Sequence, residues 1–183
     1  MLDAPVLARG MLTSFLLALA EAGAFDPVWS EQIHGEWTKD LQRLRHDIPV
    51  AKLRHRRAEL DRAFPVASVT ASRDAIDEVL ANCTTAAERK SAHVLAIALS
   101  ARAAVIVTDE AFCLTAVMAR LWHDIAVLSP DAFCVELLDR HETTVLPAIH
   151  AHRVLLGRAE AWTDLLAALP ATAARLAQYR PPS

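Results

Sequence analysis

The sequence predicts an α/β protein: a small parallel sheet wrapped by helices, followed by an all-helical C-terminal extension. Three observations carry that expectation. Ala104-Val105-Ile106-Val107 is an unbroken apolar run that ends at Thr108, and a parallel strand covered on both faces reads as continuous Ala/Val/Ile rather than as alternation. The strand-like segments Val66–Thr70 and Ile125–Leu128 are interleaved with helical ones, the order in which helices cross over between parallel strands. From Asp131 to Gln178 there are only amphipathic segments, punctuated by Pro147, Gly157 and Pro170. We read residues 1–183 as a single domain, with 131–183 as its helical extension.

The elements follow from local signals. A first strand begins almost at Met1 and is very short, and Leu12–Ala20 has helical character up to a turn at Gly23. Ser30 N-caps a helix whose Ile33, Trp37, Leu41 and Leu44 fall at helical spacing, with Glu36 beside that stripe. A further helix spans about Val50–Phe64, burying Leu53, Leu60 and Phe64 and ending before Pro65. After the strand-like Val66–Thr70 comes a short helix at Asp74–Leu80. Thr85-Ala86-Ala87-Glu88 fits a capping box, in which the Thr hydroxyl and the Glu carboxylate each satisfy the other's backbone N–H. The helix it starts runs through Val94, Leu95 and Leu99 into the strand at Ala104. A helix at Ala111–Leu121, the strand Ile125–Leu128 and a helix opened by Ser129-Pro130-Asp131 complete this part.

Composition narrows the function classes. A net charge of -3 with 22% charged residues gives no global basic field, so nucleic-acid contact needs a local patch. Aromatic content of 5% offers no base-stacking platform, and Trp29, Trp37, Trp122 and Trp162 read as packing residues. Cys83, Cys113 and Cys134 are widely spaced and odd in number, which predicts buried thiols in a reducing compartment. Met11–Ala20 is too short to span a bilayer and no basic region precedes it, so a cytoplasmic location without membrane contact is expected. Four glycines leave no phosphate-cradling loop, and no Gly-rich elbow presents Ser30 or Ser91 as a nucleophile.

Asp109 and Glu110 follow Thr108 at the carboxyl end of the strand, where ligands of open α/β sheets bind. The same two carboxylates suit the first turn of the helix from Ala111 through its dipole, and both roles stay open. Lys52, Arg54, Arg56 and Arg57 form the densest basic run, suited either to an RNA backbone or to a solvated helix face. His34, His93, His123, His150 and His152 make no ligand constellation and read as structural.

Several stretches in this order resemble the PIN-domain family, specifically its VapC-like toxin branch. They are Leu2-Asp3-Ala4, the segment Leu16 to Glu36, the unit from His93-Val94-Leu95-Ala96 to Val107-Thr108, and Ser129-Pro130-Asp131-Ala132-Phe133 with Val135-Glu136-Leu137-Leu138. The resemblance implies a PIN-like fold and a metal-dependent endoribonuclease, the toxin of a toxin–antitoxin pair. It implies Mg²⁺ or Mn²⁺ held by Asp3, Glu36 and Asp109 or Glu110, an RNA substrate, an antitoxin partner and a homodimer. The chain departs from the family at the third acidic position, where Ser91 stands between Lys90 and Ala92. Glu88, three residues earlier on the same helical face, either replaces that acid or serves only as the cap. The alternative function is a catalytically weakened binding or regulatory module that meets a partner protein or RNA.

Overall fold

The computed structural model describes residues 1–121 and 123–179; Trp122 lies outside them. The elements are α1 (Ala4–Ala8), α2 (Gly10–Glu21), α3 (Glu31–Leu44), α4 (Val50–Ala63), α5 (Arg73–Ala81), α6 (Ala86–Ser100), β1 (Val105–Val107), α7 (Ala111–Leu121), β2 (Ala126–Leu128), α8 (Pro130–Arg140), α9 (Glu142–Leu156), α10 (Ala159–Ala167) and α11 (Pro170–Leu176).

This corrects the expected fold class. Among the described residues the protein is 69% helical with a two-stranded parallel sheet, β1 beside β2, and not a PIN-like sheet wrapped by helices. The other expected strands shrink to single parallel bridges, Leu2 with Val107 and Trp29 with Ser68. Helix initiation cuts each ladder short. The Asp3 carbonyl already accepts the N–H groups of Val6 and Leu7, so the chain turns into α1 one residue after its bridge. Trp29 donates to the Ala67 carbonyl and accepts from the Val69 N–H, but Ser30 then caps α3, its hydroxyl accepting the Ile33 N–H at 3.2 Å. Apolar residues that a sequence reading assigns to strands are therefore buried by helices.

The chain divides into two compact units. The first comprises Met1–Ala8 and Pro27–Val127. Its core holds Leu2, Trp29, Ile33, Trp37, Leu95 and Ile106, all fully buried. The capping box at Thr85 and Glu88 forms as the sequence predicts, and α4, α5 and α7 lie within a residue or two of their expected bounds. The second unit comprises Arg9–Asp26 and the chain from Leu128 onward. There Phe15 meets His152 and Trp162 edge-on at centroid distances of 5.6 and 6.3 Å, and Phe25 meets Phe133 at 5.0 Å. Gly157 ends α9 at φ 62°, a left-handed turn that favours glycine. Pro170 opens α11, whereas Pro147 is carried inside α9. No helix among the described residues is long and apolar enough to cross a membrane.

Candidate functional site

The site grows from the bridge between Leu2 and Val107, in the first unit. The Asp3 N–H donates to the Val107 carbonyl at 3.1 Å, which sets Asp3 beside the end of β1 and buries it. Its carboxylate accepts the Ala4 N–H at 2.8 Å and the Thr108 hydroxyl at 2.7 Å. Thr108 is thereby spent twice, since its Oγ1 also accepts the Glu110 N–H at 3.0 Å. Desolvation raises the Asp3 pKa above its usual value; the two hydrogen bonds and His93 oppose this, and the charge of Glu36 adds to it. A buried carboxylate left in this condition is a functional-site candidate.

Glu36 and His93 form the other half. His93 Nε2 lies 3.0 Å from Glu36 Oε2, and His93 Nδ1 lies 3.1 Å from the Lys90 carbonyl. A carbonyl and a carboxylate both accept, an arrangement that favours the protonated ring. The titration behaviour agrees. Burial works to lower the His93 pKa, but the hydrogen bond and charge of Glu36 outweigh it, and the net shift is upward. For Glu36, burial works upward and the bond and charge of His93 outweigh it, holding the carboxyl below its usual value. Asp3 feels both Glu36 and His93 electrostatically. Asp3 at the end of β1 and the pair of half-exposed Glu36 with His93 of α6 are thus electrostatically coupled, from three distant parts of the chain.

The remaining predicted residues are placed elsewhere. Glu88 is buried and committed: its carboxylate accepts the N–H groups of Thr84 and Thr85 at 2.6 and 3.2 Å and pairs with Arg120 at 2.8 Å. Arg120 first, then those N–H groups, pull its pKa down to about 2. Asp109 and Glu110 follow β1 as expected and are exposed. Among the described residues, no group of three His, Cys, Asp or Glu is placed to hold a metal ion. Ser91 is half-buried on α6.

The basic run splits. Arg56 turns inward, donating to the Leu7 carbonyl at 2.7 Å with its guanidinium 5.0 Å from the Trp37 ring centre. Arg57 pairs with Glu31 and, at 3.6 Å, with Asp61. Lys52 and Arg54 remain exposed.

His34 fits its structural reading. Its Nδ1 accepts the Trp37 indole N–H at 2.9 Å, so Nε2 carries the hydrogen and donates to Asp61 at 3.2 Å. Burial lowers its pKa, consistent with a neutral ring. His93, read from the sequence as structural, pairs with Glu36 and couples to Asp3, contacts the sequence reading did not foresee. A lone histidine carries no spacing signal; the available hint was its place two residues after Ser91, where the resemblance leaves a negative charge missing.

Comparison with protein-family models, with curated proteins and with solved structures gives no match.

The donors present fit a hard divalent cation in part. Asp3 and Glu36 are oxygen ligands of the kind Mg²⁺ takes, and Mg²⁺ commonly uses one or two carboxylates and keeps water in the rest of its shell. No third carboxylate joins them among the described residues, and His93 stands beside Glu36.

Proposed function

We propose that the chain is a metal-dependent endoribonuclease with a reduced acidic set, in which Asp3 and Glu36 hold Mg²⁺ or Mn²⁺. What supports this reading is the buried Asp3 carboxylate, held by Thr108 with its pKa raised, coupled electrostatically to the Glu36–His93 pair. When bound, such a cation offsets the charge of a phosphodiester and lowers the pKa of a coordinated water. The chain's own residues supply the rest. Thr108 and the Ala4 N–H fix the Asp3 carboxylate. His93 fixes Glu36 and places a proton next to it. Lys90 and Arg89, exposed on α6 near His93, add cationic charge for an RNA phosphate. Its role as the toxin of a toxin–antitoxin pair, with an antitoxin and a second copy as partners, rests on the sequence resemblance.

A second reading is a binding or regulatory module without efficient cleavage. Two observations favour it: Glu88 is spent on its cap and on Arg120, and Glu36 already has His93 as a counterion. One experiment separates the two. A mixed RNA pool is incubated with the protein and Mg²⁺ or Mn²⁺, with EDTA as control and Asp3→Asn and Glu36→Gln in parallel. Metal-dependent cleavage that both substitutions abolish supports the nuclease. Folded wild-type protein that retains RNA without cutting it overturns that reading in favour of the module.

A further inference from the structure

The first unit contains a cavity of about 440 Å³ whose aliphatic wall the nuclease reading does not use. Its size lies in the range of small-molecule sites. The wall is aliphatic, built from Val69, Leu80, Ala96 and Ile97. Arg89 and Lys90 also line it, and both are exposed. Among the described residues neither forms an ion pair within 4.0 Å. The carboxylate in the lining, Glu31, is held by Arg57, and His93 on the same helix is held by Glu36. The net charge facing a ligand at that end is therefore positive. Ser30 and Thr70 add hydroxyls to the same lining.

We infer that this cavity binds a small amphipathic monocarboxylate, its aliphatic body against Leu80, Ala96 and Ile97 and its anionic head between Arg89 and Lys90. Two features set the ligand class. No Phe, Tyr or Trp lines the cavity, and its one ring, that of His93, is tied to Glu36, so a nucleobase finds little stacking surface there. Two cations without partners favour an anion over a neutral lipid of the same length, because charge-assisted hydrogen bonds to a carboxylate are the stronger kind. The site shares Arg89 and Lys90 with the proposed RNA contact, but its ligand and its readout do not depend on RNA cleavage.

Isothermal titration of the full chain with decanoate tests the inference, with decan-1-ol and adenosine 5′-monophosphate as comparison probes. Saturable decanoate binding, tighter than either comparison probe, is expected. The double substitution Arg89→Gln with Lys90→Gln, both on exposed positions, weakens decanoate by about tenfold or more while leaving decan-1-ol unchanged. Thr70→Trp, also exposed, removes binding of both by filling the cavity. Circular dichroism verifies that each variant is folded. Decanoate that binds no tighter than decan-1-ol, or that ignores the double substitution, overturns the inference. So does tighter binding of the nucleotide. Cleavage of RNA is not the readout, so failure here is distinct from failure of the nuclease reading.

Discussion

Asp3 and Glu88 are both buried carboxylates in the first unit, and they stand in opposite electrostatic conditions. Glu88 has Arg120 and the N–H groups of Thr84 and Thr85, and its pKa is pulled down to about 2. Asp3 has one backbone N–H and one hydroxyl, no paired cation, and desolvation that raises its pKa. A carboxylate whose lone pairs and charge are satisfied locally has its role in stability. One that remains under-compensated has capacity left for something outside the chain.

The largest expected effect breaks this pair apart by function. Asp3→Asn, which keeps the shape and removes the charge, lowers metal-dependent RNA cleavage by at least about 10²-fold, the scale of losing one stabilising group in an active site. Its melting temperature stays close to that of the wild type, because the charge removed was a desolvated one. Glu88→Gln does the reverse, lowering the melting temperature while cleavage per folded molecule is retained. Cleavage rates and thermal melts on both proteins, run side by side, test this, and loss of cleavage in both sinks the distinction.

A smaller effect is expected from Thr85→Ala, which removes the other half of the capping box. It costs about 1 kcal/mol, which lowers the melting temperature by about 2–4 °C for a chain of this length. Glu88→Gln is expected to exceed it, because Glu88 also serves Thr84 and Arg120.

The pH dependence sharpens the comparison further, with opposite signs. The Glu88 pKa falls on folding from 4.5 to about 2, so its contribution is present above 4.5 and is lost as the pH falls towards 2. The Asp3 pKa rises on folding from 3.8, so folding is favoured by its protonated form, and that advantage is lost as the pH rises above 3.8 through the raised value. His93 also has a raised pKa; its contribution is complete below 6.5 and is lost as the pH rises through the folded value. Melting temperatures measured across the acid range should therefore fall less steeply in Glu88→Gln than in the wild type. In Asp3→Asn the partial compensation above pH 3.8 should disappear. On the alkaline side, His93→Gln should flatten the decline above pH 6.5, and an unchanged profile in all three variants contradicts these assignments.

Much of the local structure was legible. Ser30, Thr85 and Ser129 each cap the helix that follows, as expected, and Ser72, not foreseen as a cap, does the same for α5; their hydroxyls accept the N–H three residues on. Side chain and backbone acceptor lie within one turn, so capping needs no distant partner. The apolar run at Ala104–Val107 becomes β1, and the short segment near Ile125 becomes β2. The extent of the sheet was not legible. Leu2, Trp29 and Ser68 have strand-compatible neighbours, but a ladder also needs a partner of matching length, and α1 and α3 begin before one can form. In the same way Arg56 reads as an exposed cation in sequence, and only the placement of Leu7 and Trp37 turns it inward.

The sequence by itself determined the capped helix starts at Ser30, Thr85 and Ser129 and the apolar strand before Thr108, because each rests on contacts spanning a few residues. The tertiary structure alone decided the predominance of helix, the division into two units and the fate of each charged group. Whether a carboxylate or an imidazole is spent or available depends on partners such as Arg120, 32 positions from Glu88, and His93, 57 from Glu36. Such pairings follow from the packing of α3, α6 and α7, and no local pattern encodes them.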